Sequence, residues 1–134
     1  MADTQRALSA FNDASTGLFK DNANQDISAQ DLRDFALSVY GGLQVTTKSA
    51  TYTATDDDDF IRCTGTWTLT LPAAADRTGK VFRIKNIGAG TITVDGDGAE
   101  TIDDAANVSM AAQYDSITVV SDGTEWWIIG KVHA

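Results

Sequence analysis

The most constraining feature of the sequence is an alternation of apolar and polar residues that repeats from about residue 50 to the end of the chain. In Thr66–Leu71, Trp67, Leu69 and Leu71 would share one face of a strand, because successive side chains of a strand point to opposite faces. Pro72 ends this run, and turn residues separate it from roughly seven similar runs. The pattern predicts a mainly β fold, an antiparallel β-sandwich or jelly-roll-like domain.

The residues before this region have a helical period instead. Ser28 is a favourable N-cap, and a Gly-Gly pair after the last apolar position favours a helix end. The sequence predicts a helix over Ala29–Tyr40, preceded by chain without the basic and apolar regions of a signal peptide. We therefore divide the chain into a short α-helical N-terminal arm or anchor, residues 1–48, and an antiparallel β-domain, residues 49–134.

Two adjacent tryptophans lie in a predicted strand near the end of the chain. Asp122-Gly123 between two β-rich runs predicts a hairpin, so Trp126 and Trp127 would point to opposite faces of its second strand. A domain of this size has a thin core, and a second copy of the chain would cover the outer face. We therefore predict a subunit interface at Trp126, Trp127 and Ile129. The alternative is a central strand with both faces buried within one chain.

The charge balance excludes several classes of partner. The net charge is −9 and the pI is near 4.2, so a phosphate backbone would be repelled and no nucleic-acid partner is expected. No run of about 18 apolar residues is present, so no membrane partner is expected.

Cys63 is the only cysteine and His133 the only histidine, which allows no disulfide and no zinc site. A buried strand residue is the favoured interpretation of Cys63, and a Cys-His catalytic pair is the alternative.

Clustered acidic residues raise the question of a metal site or an enzyme. Asp56–Asp59 would gather carboxylates for calcium, but adjacent aspartates in a turn usually remain solvated, and Asp95–Gly98 lacks the ligand spacing of a calcium loop. No carboxylate pair stands out for glycoside hydrolysis, and a single histidine allows no Ser-His-Asp order. The sequence predicts no enzyme, no metal site and no cofactor. A carbohydrate platform is left open by the aromatic residues Tyr52, Trp67, Tyr114, Trp126 and Trp127.

A longer pattern covers most of the second region. It combines a Tyr-x-Ala-Thr start, an alternating strand that ends in Leu-Pro, a strand with Ile-Lys-Asn-x-Gly, the run Gly-Thr-Ile-Thr-Val, and a late Gly-Thr-x-Trp. This order resembles a β-module of tailed-bacteriophage virion proteins. The preceding region is also similar to short N-terminal segments of phage fibre and decoration proteins. The matching segments are Tyr52–Thr55, Thr66–Pro72, Gly79–Gly88, Gly90–Val94, Gly98–Asp103 and Gly123–Trp126.

The resemblance implies a structural role in the virion, commonly as trimers on the capsid surface or in fibres, and leaves head and tail open. We expect a homotrimeric capsid decoration or head-fibre protein, made in the host cytoplasm, that binds the major capsid protein and stabilises the shell. The expected arm contacts to the capsid are Leu32, Phe35, Val39 and Tyr40. The alternative is a tail-tip or baseplate adhesin that binds host surface glycan.

Overall fold

The computed structural model describes residues 29–40 and 42–133. The chain divides into two units after Leu43. In the first unit, helix α1 spans Ala29–Tyr40, the residues predicted for it. Gly42 then has a φ of 88°, a left-handed conformation that glycine adopts without strain. Among the described residues, no helix is long and apolar enough to cross a membrane.

The second unit, from Gln44 onward, is built from β-strands. In the described part of the chain these are β1 Val45–Lys48, β2 Tyr52–Thr53, β3 Phe60–Cys63, β4 Trp67–Thr70, β5 Val81–Asn86, β6 Ile92–Asp95, β7 Asn107–Met110, β8 Ser116–Ser121 and β9 Trp126–Val132. They form two sheets, a five-stranded one in the order β1-β3-β5-β8-β9 and a four-stranded one in the order β2-β4-β6-β7. The mainly β prediction is confirmed at this level.

The first six strands alternate between the two sheets. As a result, β1, β3 and β5 run parallel in the larger sheet, and β2, β4 and β6 run parallel in the smaller one. Parallel neighbours need a crossover connection, and here a strand of the opposite sheet forms each crossover. The antiparallel prediction is therefore wrong for four of the seven strand pairs that the described residues form. The predicted jelly-roll connections are not found among the described strands.

The remaining strand pairs are antiparallel: β6 with β7, β5 with β8, and β8 with β9. The hairpin predicted at Asp122-Gly123 joins β8 to β9 and is confirmed. Gly123 has a φ of 96°, and a Cβ there would clash with the Thr78 hydroxyl, so the turn requires glycine. At the other end of the domain, β1 is an edge strand of the larger sheet, although the sequence division placed it in the arm.

Side chains from both sheets meet in one apolar core. Leu69 and Leu71 are fully buried, as their alternation with threonines predicted, and Trp126 is the largest buried side chain. Neither sheet can cover its own apolar face, so the two stabilise each other by mutual burial. The core residues are Ala54, Ile61, Cys63, Leu69, Leu71, Ala74, Phe82, Ile84, Ile92, Val94, Ile102, Met110, Ile117, Val119 and Trp126.

Asn86 is a fully buried polar residue at the end of β5. Its amide nitrogen donates to the carbonyl oxygens of Gly90 at 2.7 Å, Met110 at 3.1 Å and Ala112 at 3.2 Å. Its amide oxygen accepts a hydrogen bond from the Gly88 backbone N–H at 3.1 Å. Because Met110 belongs to the smaller sheet, this amide ties the two sheets together. Buried polar atoms need such partners, which explains the asparagine of the Ile-Lys-Asn-x-Gly pattern.

Candidate interaction surface

A hydrogen-bonded turn determines how strand β9 begins. Oδ1 of Asp122 accepts hydrogen bonds from the backbone N–H groups of Thr124 at 2.8 Å and Glu125 at 2.9 Å. Oδ2 of Asp122 accepts one from the indole Nε1 of Trp127 at 2.8 Å. The N–H groups of Glu125, the Trp127 indole and Thr124 lower the pKa of the Asp122 carboxyl, because they bind its charged form. The turn therefore holds the Trp127 ring in one orientation at the surface.

The two tryptophans lie on opposite sides of β9, and only one of them reaches the surface. Trp126 is fully buried, with its ring centroid 5.4 Å from that of Phe82. Its Nε1 donates a hydrogen bond to the Pro72 carbonyl at 3.2 Å. The prediction that Trp126 forms part of a subunit interface is wrong, because its own domain already covers the whole ring.

Trp127 belongs to the outer face, which we define as the side of the five-stranded sheet that points away from the core. Trp127, Ile129 and Val132 are 39%, 62% and 58% exposed. A β-bulge places two residues of β9, Ile129 and Gly130, opposite Thr118, which keeps Ile129 on the outer face. The outer face consists of Val45, Thr47, Phe60, Arg62, Val81, Arg83, Lys85, Ser116, Thr118, Val120, Trp127, Ile129, Gly130 and Val132.

The outer face also carries three cations that the sequence reasoning did not group together. The parallel register places Arg62 beside Lys85, and Arg83 lies two residues earlier on the same strand. The Arg62 guanidinium donates to the Thr47 hydroxyl at 2.8 and 3.1 Å, and the Lys85 ammonium donates to the Tyr114 carbonyl at 3.1 Å. The alternation of residues within β5 was enough to place Arg83 and Lys85 on the same face of the strand. Joining Arg62 to them requires knowing that β3 and β5 run parallel.

Asp56–Asp59, considered above for calcium, is engaged in contacts within the domain. Asp56 accepts two hydrogen bonds from the Arg77 guanidinium, at 2.8 and 3.3 Å. Asp59 lies 3.3 Å from the Lys80 ammonium. In the described part of the chain, no group of three or more His, Cys, Asp or Glu side chains is placed to hold a metal ion. Asp56 and Asp59 therefore connect neighbouring loops and strands of the domain.

Asp58 is the buried residue of that run, with 1% of its surface exposed. Its Oδ1 accepts a hydrogen bond from the Thr46 hydroxyl at 2.8 Å. Its Oδ2 accepts from the Tyr52 hydroxyl at 2.8 Å and from the Thr55 backbone N–H at 2.9 Å. Thr46 lies in the larger sheet and Tyr52 in the smaller one, so one carboxylate connects the first strand of each.

The single thiol is poorly suited to catalysis. Cys63 is fully buried in β3, which confirms its interpretation as a buried strand residue. Burial raises the pKa of the Cys63 thiol to about 12, because the thiolate would lose its hydration. Nucleophilic attack by cysteine requires the thiolate. His133 lies 65% exposed, with its Nδ1 3.5 Å from Asp115 Oδ1.

We expect Cys63 to resist iodoacetamide in the native protein at about pH 8 and to react fully once the protein is unfolded in urea. The reason is that neither the reagent nor a hydroxide ion reaches the thiol in the folded domain. Mass spectrometry of samples quenched over time would measure the labelled fraction. Rapid labelling of the native protein would contradict the burial of Cys63.

The other predicted site residues are placed as follows. Phe35 and Val39 of α1 are 38% and 46% exposed. The side chains of Leu32 and Tyr40 lie outside the described residues. The contact of these four residues with a capsid stays a prediction.

The aromatic residues considered for a carbohydrate platform are separated by burial. Tyr52 and Trp67 pack against the core, and Trp126 lies within it. Tyr114, at 54%, and Trp127 are the exposed pair. Of the five aromatic residues in this alternative, only these two have exposed rings.

Comparisons with known proteins assign no family to the chain. No model of a known protein family matches it, and no curated protein matches it. The resemblance to phage virion modules therefore rests on its motif residues. Three of these, Pro72, Asn86 and Trp126, make the buried hydrogen bonds described above.

Proposed function

We propose that this chain is a structural protein of a tailed-bacteriophage virion, a homotrimer that binds the major capsid protein at the capsid surface and stabilises the shell. The observation that carries the proposal is the row of exposed apolar side chains on β9, with Trp127 already oriented by Asp122. Contiguous exposed apolar surface rimmed by polar residues marks interaction sites. A second copy of the chain would cover this row, and the resemblance in the sequence supplies the virion context.

In this proposal the N-terminal region attaches the β-domain to the shell. Phe35 and Val39 are 38% and 46% exposed, and the sequence predicts that they share an apolar stripe with Leu32 and Tyr40. A helix of this length has little stability alone in water. It would gain stability by docking its stripe on the major capsid protein.

The first experiment measures mass and location. Multi-angle light scattering of the purified chain at micromolar concentration should give the mass of a trimer, and antibody labelling should place the chain on capsids in electron micrographs. A monomer in solution would remove the trimer from the proposal. Label confined to the tail tip would remove the capsid.

Replacing Trp127 with alanine should weaken self-association at least about tenfold, because Trp is the residue type that most often dominates interface energetics. At a protein concentration where wild type is monomeric, the free energy of unfolding should fall by about 1 kcal/mol or less, since Trp127 is partly exposed within one chain. Sedimentation equilibrium would measure the association constant. Ser109→Ala, an exposed position on the smaller sheet, is the control and should associate normally. Normal association of Trp127→Ala would exclude its ring from the interface.

The second candidate function is an adhesin that binds host surface glycan. The orientation of Trp127 favours it, because a held aromatic ring is also what stacking on a sugar requires. A glycan array separates the two functions. Binding that is lost in Trp127→Ala while association is retained would support the adhesin against the decoration protein.

A further inference from the structure

Charges are segregated within the β-domain. The chain has 19 Asp and Glu residues, yet none lies in the five strands of the larger sheet. The outer face of that sheet instead carries Arg62, Arg83 and Lys85. This face is therefore positively charged, although the chain as a whole has a net charge of −9. It would attract a negatively charged surface and repel a positive one.

These three cations have no carboxylate partner among the described residues. Two other cations of the domain are paired, Arg77 with Asp56 and Lys80 with Asp59. Arg83 is exposed, and its side chain forms no ion pair or hydrogen bond within the described part of the chain. The outer face therefore presents cationic groups whose charge is not neutralised inside the domain.

The cations lie next to the exposed apolar row. One line of strand neighbours runs from Lys85 on β5 through Ser116 on β8 to Val132 on β9. Neighbouring strands are about 4.8 Å apart, so the cations of β5 lie about 10 Å from the row that contains Trp127. Stable interfaces combine an apolar centre with a polar rim, and this face supplies both parts.

The same domain has an acidic region that complements the outer face. We call residues 95–104 the acidic segment, which joins β6 to β7 and follows the edge of β9. The Asp103 backbone N–H donates to the Trp126 carbonyl at 3.1 Å, and the Ile128 N–H donates to Asp103 Oδ1 at 2.8 Å. The carboxylates of the segment are Asp95, Asp97, Glu100, Asp103 and Asp104.

We propose that a second copy of this chain docks on the outer face and places its acidic segment against Arg83, Arg62 and Lys85. The inference rests on the proposed trimer and names its contact. A threefold ring needs a contact between two different patches, because each subunit uses one patch toward each neighbour. The outer face and the acidic segment are two such patches with opposite charge. The contact also explains how copies of an acidic chain associate despite their overall repulsion.

A copy of the chain fits this face better than a nucleic acid does. The three cations are too few to offset a net charge of −9 against a phosphate backbone. A second copy of the chain brings only its acidic segment to the cations. The same contact buries the apolar row of the outer face on which it docks. Binding of a DNA duplex to the outer face is the competing outcome that the experiment includes.

The test reverses charges on the two patches of the full chain. Arg83→Glu should weaken association at least about tenfold, since an attraction of roughly 1.4 kcal/mol or more is lost and a repulsion replaces it. A segment variant that combines Asp97→Lys with Asp104→Asn should weaken association to a similar extent. A chain that carries Arg83→Glu together with both segment changes should recover most of the wild-type affinity between copies. Sedimentation equilibrium at about 0.1 M and about 1 M salt would measure each association constant. High salt should weaken association only where the two patches carry opposite charges, as in wild type, the restored chain and any control that leaves both patches intact.

Lys131→Glu is the matched control. It makes the same change of charge in the same sheet, but Lys131 pairs with the inward-pointing Ile117 and so lies on the side of the sheet opposite Arg83. Its association should stay within about twofold of wild type. Circular dichroism of each variant, at a protein concentration where wild type is monomeric, should give the wild-type spectrum and thermal transition, which separates lost association from lost folding.

The outcomes separate this inference from the proposed function. A wild-type trimer that is insensitive to Arg83→Glu, or one that the combined variant does not restore, would overturn the acidic contact and leave the trimer standing. A wild-type monomer would overturn the proposed trimer itself. Binding of a short DNA duplex that Arg83→Glu abolishes would assign the outer face to nucleic acid and overturn the inference.

Discussion

Replacing Trp126 with alanine should lower the free energy of unfolding by about 3 to 5 kcal/mol, the cost of removing a large aromatic side chain from a packed core. The ring is fully buried and packs against Phe82, and its Nε1 satisfies the Pro72 carbonyl. The variant therefore creates a cavity and leaves a buried acceptor without its donor. Urea denaturation followed by circular dichroism, at a protein concentration where wild type is monomeric, would measure the difference.

Two further variants keep this prediction testable if Trp126→Ala does not fold. Trp126→Phe retains an aromatic ring but removes the donor to Pro72, and should cost about 2 kcal/mol. Trp127→Ala, one position along the strand, should cost about 1 kcal/mol or less, because its ring is partly in water in the single chain. Equal losses at Trp126 and Trp127 would contradict the difference in burial between the two rings.

The features that sequence reasoning predicted correctly are set by residues close together in the chain. Helix α1 follows from apolar spacing between a cap and a Gly-Gly pair, and its bounds agree with the structure. The hairpin at Asp122-Gly123 follows from turn chemistry. The burial of Leu69 and Leu71 follows from alternation with threonine. Each of these needs no knowledge of which strands pair.

Strand pairing was not predictable because local patterns do not distinguish a hairpin from a corner. Only residues 64–66 separate β3 from β4, a spacing that also suits a hairpin. The chain instead turns toward the other sheet at Gly65, with a φ of 102°, and the Trp67 indole donates to the Thr64 carbonyl at 2.7 Å. The alternation of β4 is satisfied in either arrangement, since both bury the same face.

The candidate interaction surface could be predicted only in part, because local sequence patterns do not determine which strands pair. Alternation places Trp126 and Trp127 on opposite faces, but it does not state which face meets the core. That choice depends on Phe82 and Pro72, which lie far away in sequence. The cationic part of the outer face depends on the parallel register of Arg62 with Lys85. An antiparallel assumption gives no reason to group them.

Replacing Asp58 with alanine should lower the free energy of unfolding by about 3 kcal/mol at neutral pH, the upper end of the cost of leaving buried groups without partners. The carboxylate accepts hydrogen bonds from Thr46, Tyr52 and Thr55, and the variant removes the acceptor for all three. Because Thr46 and Tyr52 belong to different sheets, the loss also weakens the link between them. Urea unfolding at neutral pH would measure the difference.

The same carboxylate should make the domain sensitive to acid. Burial raises the pKa of Asp58, but the hydrogen bonds from the Thr55 backbone and from the Tyr52, Thr46 and Thr55 hydroxyls outweigh burial, and the pKa lies below its ordinary value of 3.8. The folded protein therefore binds this proton less readily than the unfolded chain does. The resulting stabilisation is fully present well above pH 3.8 and is lost as the pH falls through the folded pKa.

Asp58→Asn isolates the charge, because the amide keeps the shape of the carboxylate but does not ionise near this pH. Wild type should be the more stable of the two at neutral pH, and the gap should narrow as the pH falls below about 3.8. Asp57→Asn is the matched control, since Asp57 is the exposed neighbour in the same run and its substitution should change stability by less than about 0.5 kcal/mol. A gap that stays constant down to about pH 2 would mean that Asp58 titrates alike in the folded and unfolded chains. Its hydrogen bonds would then not favour the charged form over the neutral one.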